Sequence, residues 1–284
     1  MNVSDRKAMV TLETTVSHAG RTVLVSGGVR GIGRALAEGF LRAGANVAVF
    51  HRGESNESKA AEHDLREDFR EAVRVGRLLV LKGDVTAKRD RARITSETLS
   101  AFGRLDVLVN SAGVCYREDL TPQRIRQQRR INATAPVQFS REVAQILRKN
   151  AHYGMETPTR GAIIALSSYV TEWRSFGAEY LRRYAESKRL LERGMKRLAC
   201  ELRPDDVNVN VIAVGVVYAG MGLATIGRKE DALRAGELPV TKFASVDAVV
   251  FEALCLTHPR SHYKTGRIEV LDGGWNLGGV STRR

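Results

Sequence analysis

The segment "EYLRRYAESK", Glu179 to Lys188, holds two tyrosines four residues apart and a lysine four beyond the second. On a helix, spacings of i, i+4 and i+8 put Tyr180, Tyr184 and Lys188 on roughly one face. A free tyrosine titrates at about 10, so it is a poor base and a sluggish acid at neutral pH. An ammonium one turn away stabilises the phenolate and brings the hydroxyl into range of proton transfer. The same three residues could equally be side chains on a surface. Only Tyr184 has a lysine one turn on; four residues beyond Tyr180 stands Tyr184.

A second constellation is "SGGVRGIG", Ser26 to Gly33. Gly27 suits a tight turn, Gly31 lets backbone approach a pyrophosphate, and Gly33 lets a helix pack closely on a strand. A helix opening here offers unpaired N–H groups and the positive end of its dipole to phosphate. Glycine-rich turns alone are weak evidence, because many loops need glycine for their backbone angles. Placement straight after an apolar run and before a helical one strengthens the case.

Those residues need a frame. Apolar runs bounded by turn residues recur as Thr22–Ser26, Asn46–Phe50, Leu78–Leu81, Val107–Asn110, Ala162–Ser167, Val207–Ile212 and Arg267–Leu271. They are short and nearly continuous, as strands buried on both faces should be. Between them, Gly33–Gly44 and Ser187–Leu202 carry leucines at helical spacing, the first stopping at a glycine and the second before Pro204. Strand–helix alternation predicts an α/β fold: a Rossmann-like, doubly wound sheet of about seven parallel strands with helices on both faces. Residues 1–19 read as a polar tail and 20–284 as a single domain.

The glycine spacing GxxxGxG, with "GDVT" (Gly83–Thr86), "NSAG" (Asn110–Gly113), "YAESK" (Tyr184–Lys188) and "YKTGRIEVLDGGW" (Tyr263–Trp275), resembles the short-chain dehydrogenase/reductase family. The likeness is to its single-domain NADP(H)-dependent members, similar to β-ketoacyl-carrier-protein reductases, and covers roughly Gly20 to Gly279. It implies that Tyr184 donates a proton to a carbonyl oxygen as hydride arrives from a nicotinamide. Lys188 would support Tyr184 and hold the ribose hydroxyls. Ser168, in "ALSSY", would polarise the substrate, with Ser167 the runner-up. Asn132, in "INATAP", would hold a water in the proton relay toward the lysine.

The same resemblance assigns Gly27, Arg30, Gly31, Ile32 and Gly33 to the phosphates, and Asp84 and Val85 to the adenine. Asn110, Ala112 and Gly113 would shape the adenine pocket, and Gly215 and Val217 would lie along the nicotinamide. NAD-specific members place an acidic residue after the second strand. Here His51 and Arg52 stand there, and Arg30 is a second basic residue aimed at the same 2′-phosphate. Without a carboxylate to repel that phosphate, NADP(H) is favoured over NAD(H).

The match departs from the family pattern in four places. The Ser168–Tyr184 interval is a few residues longer than usual, and Tyr180 would fit the ordinary spacing. Val214 replaces a proline, and Ala219 stands where a threonine anchors the nicotinamide carboxamide. Ala219–Val240 has the look of a mobile cover over the substrate. Asn150–Arg160 reads as a surface loop, and Cys115 as small apolar packing.

Bulk numbers bound the rest. The 284 residues carry a net charge of +13, and 43% are hydrophobic. That charge would suit an acidic carrier protein, yet the basic residues are scattered and no aromatics interleave with them, so a nucleic-acid partner is not expected. No apolar run is long enough to cross a bilayer, and no secretory signal is evident. Three dispersed cysteines point to a reduced, cytoplasmic setting without a metal site. The leading expectation is an NADPH-dependent oxidoreductase acting on a small-molecule carbonyl or alcohol. A carrier-bound β-ketoacyl group or a secondary-metabolite ketone would fit, and the assembly would be a homotetramer or homodimer. The alternative is a cofactor-binding or sensor protein that kept the fold and lost turnover.

Overall fold

Seven short runs rich in Val, Ile and Leu form the seven strands of one sheet. They are β1 (Thr22–Ser26), β2 (Asn46–His51), β3 (Leu78–Lys82), β4 (Val107–Asn110), β5 (Gly161–Ser168), β6 (Val207–Val214) and β7 (Ile268–Leu271). The structure is a computed structural model and describes residues 16–153, 159–173, 177–221 and 243–277. Every neighbouring pair is parallel, in the order β3-β2-β1-β4-β5-β6-β7. The helices are α1 (Gly31–Arg42), α2 (Asn56–Asp68), α3 (Arg70–Arg74), α4 (Lys88–Phe102), α5 (Pro122–Arg129), α6 (Ala135–Leu147), α7 (Glu179–Leu202) and α8 (Val246–Thr257).

Alternation along each strand divides the core in two. Val23 and Val25 of β1 pack with Leu36 and Phe40 of α1, Leu65 of α2, and Val249 and Leu254 of α8. Leu24, between them, faces Ile94 of α4, Phe139 and Val143 of α6, and Leu191 and Met195 of α7. With both faces covered, β1, β4, β5 and β6 are buried at every residue. That is why β1, β4 and β5 run nearly continuously apolar, while the two buried asparagines of β6, Asn208 and Asn210, bond Ser261 O (3.3 Å) and Lys264 O (2.8 Å).

Strand order reverses beside β1, which lies between β2 and β4. In open α/β sheets the crevice outside the strand C-termini at this point is where ligands bind. Asp106 ties the opposite ends of the strands. Its Oδ2 accepts from Thr22 N–H (2.8 Å), its own N–H donates to Thr22 O (2.9 Å), and its carbonyl accepts from Ala162 N–H (2.9 Å). Arg104 holds the same carboxylate with two hydrogen bonds (2.8 and 2.7 Å).

The described elements refine the expected boundaries. β2 extends one residue to His51, β5 two to Gly161 and Ser168, and β6 two to Val214, while β7 starts at Ile268. α7 begins at Glu179, so both tyrosines of the opening segment are helical. Part of the expected tail packs on the fold: His18 is fully buried, edge-on to Phe40, with Nε2 3.0 Å from Thr257 Oγ1. The loop over 150–160 is closed by Asn150, whose Nδ2 donates to Leu105 O and Arg160 O; residues 154–158 lie outside the described residues. The expected cover over 219–240 likewise lies outside them beyond Met221. No described helix is long and apolar enough to cross a membrane.

Replacing Asp106 by Ala leaves the buried Thr22 N–H without its acceptor. We expect a loss of about 2–3 kcal/mol of unfolding free energy in a urea titration; an unchanged midpoint would count against this view of the sheet.

Candidate active site

The loops after β1 to β6, with the first turn of α1 and one face of α7, enclose a cleft of about 980 Å³. Of the residues assigned from the sequence to cofactor binding or catalysis, sixteen line it: Gly27, Arg30, Gly31, Ile32, Gly33, His51, Arg52, Asp84, Val85, Ala112, Gly113, Ser168, Tyr184, Lys188, Gly215 and Val217. Asn110 and Asn132 stand behind the wall. Asn110 is buried at the end of β4 and donates to Ser140 Oγ (2.9 Å).

The first turn of the cleft is sterically demanding. A Cβ on Gly33 would lie 2.2 Å from Gly27 O, and one on Gly31, whose φ is +57°, would lie 3.0 Å from Gly220 Cα. The helix behind this turn has no side-chain cap and no acidic residue in its first turn. Its leading N–H groups therefore face the cleft with no protein anion to satisfy them, which fits a phosphate. Ser26 braces the turn against the next one, its Oγ accepting from Ser111 N–H (3.1 Å) and Ala112 N–H (3.2 Å).

At the rim the picture differs from the expectation. Carboxylates are present: Arg30 meets Glu57 at 3.3 Å and Arg52 meets Glu54 at 3.6 Å, and both glutamates line the cleft. His51 is buried and its Nε2 lies 3.0 Å from Glu62 Oε2, so it is held by α2. The sequence conceals this, since these acids sit within or before α2 and only folding turns them toward the end of β2. Asp84 is held by an Asx turn, accepting from Thr86 N–H (2.7 Å).

At the inner end, α7 lies along the C-terminal end of β5. Lys188 is buried and its Nζ donates to Leu166 O (2.8 Å), 5.8 Å from the centre of the Tyr184 ring. Tyr184 and Ser168 line the same end of the cleft. The phenol is not lowered as expected: burial pushes it above the usual tyrosine range, and Cys115 adds to this while Ser168 opposes it. Burial also takes Lys188 down to about 8 from an ordinary 10.5, with Glu192 and Cys115 pulling the other way. Cys115 lines the cleft, and burial pushes its thiol up.

Asn132 sits in a π-helical turn, Arg130–Thr134, between α5 and α6. Its Oδ1 accepts from Val114 N–H (2.9 Å), and its Nδ2 donates to Val114 O (2.8 Å) and Ser187 Oγ (3.0 Å). Ser187 in turn donates to Tyr184 O (2.6 Å). Asn132 thus couples the β4 loop to the turn of α7 that carries Tyr184 and Lys188.

Tyr180 lines the cleft one turn nearer the mouth, with the Arg117 guanidinium 6.0 Å from its ring centre. Tyr169 stacks edge-on with Trp173 (5.4 Å) and Trp275 (5.5 Å). Gly215 sits where a Cβ would meet Leu271 O and Asp272 Cα at 2.8 Å, and Val214 fills the proline position as the last residue of β6. Sequence reasoning missed Glu192, which accepts from Ser167 Oγ (2.5 Å), although its place one turn beyond Lys188 was a readable signal.

A buried amine below its ordinary pKa burdens the fold. Below pH 8 both folded and unfolded chains hold the Lys188 proton, and the cost of burying it is present in full. Between 8 and 10.5 the unfolded chain binds more protons, so that cost fades as pH rises. Lys188→Met should therefore be more stable than the parent at pH 7 by about 1–3 kcal/mol, with the gap closing toward pH 10 in thermal melts. A destabilised variant at pH 7 would contradict this.

A family model described as enoyl-(acyl carrier protein) reductase matches residues 27–276. Human L-xylulose reductase is 30% identical over 261 residues, 90% of this chain and 97% of that protein. The rhamnolipids biosynthesis 3-oxoacyl-[acyl-carrier-protein] reductase of Pseudomonas aeruginosa is 28% identical, over 92% of this chain and 98% of that protein. Among solved structures, the Pseudomonas aeruginosa RhlG/NADP active-site complex is similar, with a TM-score of 0.77, 27% identity, and coverage of 92% of this chain and 98% of that one. This chain belongs to the short-chain dehydrogenase/reductase family, oxidoreductases that interconvert alcohols and carbonyls with a nicotinamide cofactor.

Proposed function

We propose that this protein is an NADPH-dependent reductase that turns a ketone into a secondary alcohol. The observation that carries the reading is the meeting of Ser168, Tyr184 and buried Lys188 at the inner end of the cleft, with Lys188 Nζ 5.8 Å from the centre of the Tyr184 ring. Gly27 to Gly33 and the start of α1 would hold the pyrophosphate. Asp84, Val85, Ala112 and Gly113 would hold the adenine end, and Gly215, Val217 and Lys188 the nicotinamide riboside. When bound, that cofactor supplies the hydride.

Burial keeps the Tyr184 proton in place through the neutral range. The oxygen of a carbonyl being reduced becomes far more basic than a phenolate, so proton transfer from Tyr184 Oη runs downhill. Ser168 Oγ donates a second hydrogen bond to that oxygen and places it against Tyr184. Lys188 limits the charge left on the phenolate. Two hydroxyls at one end of the cleft suit a carbonyl oxygen that takes up the proton itself, as a ketone's does.

Arg30 and Arg52 at the rim support NADPH over NADH, each drawn from its glutamate by a 2′-phosphate of higher charge. The basic surface would suit a carrier-bound acyl substrate, and the aromatic wall of Tyr169, Trp173 and Tyr180 an unsaturated or flat one. A cytoplasmic location fits the free Cys115, Cys200 and Cys255. A homodimer or homotetramer fits an edge strand, β7, that leaves Val270 40% exposed, and an α8 that leaves Phe251 44% exposed. The division into a tail and one domain over 20–284 fits the single continuous sheet. Nothing observed favours a form that has lost turnover.

Oxidation of NADPH over a panel of ketones tests the reading. Tyr184→Phe should lose about 10²–10⁴-fold in kcat while binding NADPH as before, and Tyr180→Phe should stay within a few-fold of the parent; the reverse order would sink the assignment. Arg52→Ala should weaken NADPH about tenfold or more and leave NADH unchanged, whereas equal losses for both would remove the 2′-phosphate role.

A further inference from the structure

We infer that Glu192 is a positioning residue for the reaction proposed above: from within α7, one turn beyond Lys188, it grips the end of β5 through Ser167, fixing the ammonium relative to Ser168. The inference rests on the ketone-reductase reading and extends it to a residue outside the Ser168, Tyr184 and Lys188 set.

Glu192 is 7% exposed, on a helix face otherwise filled by Leu191, Met195 and Leu198. A carboxylate there is costly unless partners offset the loss of water. Its partner lies on the catalytic strand. Ser167 Oγ donates to Oε1 (2.5 Å), and the Thr171 hydroxyl ties the turn after β5 back to Ser168 O (2.9 Å). These two residues flank Ser168 on either side. Adjacent serines thus divide the work, Ser168 lining the cleft beside Tyr184 and Ser167 anchoring the strand end to the helix.

Burial raises the Glu192 carboxyl above its usual range and the Ser167 hydrogen bond opposes this; of the charges, Glu172, on the 3₁₀ turn after β5, repels the carboxylate and Lys188 attracts it less strongly. Arg189 is turned to the Thr171 and Trp173 carbonyls. On the lysine side, Glu192 is the strongest of the groups that oppose burial, followed by Cys115, with the Tyr184 ring beside it. Without that anion the buried ammonium would give up its proton more readily, and the cation beside Tyr184 would be lost at lower pH.

The test combines ketone reduction across pH with ¹³C-lysine NMR of the ligand-free protein, the Lys188 signal being assigned with Lys188→Arg. Removing an anion beside an ammonium eases deprotonation, so Glu192→Gln should lower the Lys188 midpoint by about one pH unit. The alkaline limb of kcat should move with it, and kcat at pH 8 should fall about fivefold with KM little changed. Glu192→Asp, which keeps the charge, should hold the midpoint near the parent value. An unmoved Lys188 midpoint in Glu192→Gln overturns the inference, whatever the activity. A moved midpoint in a protein that reduces no ketone supports the Glu192–Lys188 pair and defeats the reductase reading instead. If the amide variant fails to fold, Ser167→Ala carries the test: a several-fold loss of kcat at constant KM is expected, and an unchanged kcat overturns the inference.

Discussion

The contact on which the site turns is a buried ammonium bonded to the main chain of the sheet: Lys188 Nζ on Leu166 O at 2.8 Å. It joins the longest helix, α7, to the strand that carries Ser168. A charge in that position is expensive, and the fold keeps it by surrounding it with a carbonyl, a tyrosine ring and a carboxylate rather than with water. The arrangement exchanges stability for a cation held beside Tyr184, as functional sites commonly do. Asn132 and Ser187 then fix the same helical turn from its other side.

The opposite end of the cleft is built on a different principle. There backbone does the work, and shape rather than charge selects the residues. Gly33 is required because Gly27 O occupies the space of any side chain, and the uncapped start of α1 leaves its N–H groups for a ligand. One end therefore depends on what side chains are present and the other on their absence. The sheet aligns the two, because both grow from strand C-termini on either side of the order reversal at β1.

Much of this was legible in the chain because burial on both faces leaves continuous apolar runs, and because each glycine of the first turn has a steric reason. Tyr184 and Lys188 could be paired by helical spacing alone. Other features depend on partners far away in sequence. Asn132 bonds groups 18 and 55 residues distant, so its place behind the cleft wall and its hold on α7 could not be read from "INATAP". The carboxylates at the rim were invisible for the same reason: Arg30 meets Glu57 across 27 positions. The upward shift of the Tyr184 phenol follows from burial beside Cys115, a neighbour that only the fold supplies. Glu192 was one turn from a residue already singled out, but its partner on β5 lies 25 positions upstream.

The central claim is that Tyr184, not Tyr180, meets the reacting oxygen, with Ser168 and Lys188 arranged around it. A crystal structure with the nicotinamide cofactor and a ketone-mimicking inhibitor measures this most directly. The account predicts the inhibitor oxygen within hydrogen-bond distance of both Tyr184 Oη and Ser168 Oγ, with Tyr180 lining the cleft toward its mouth. An inhibitor oxygen bonded to Tyr180 Oη, with Tyr184 turned away, would contradict it.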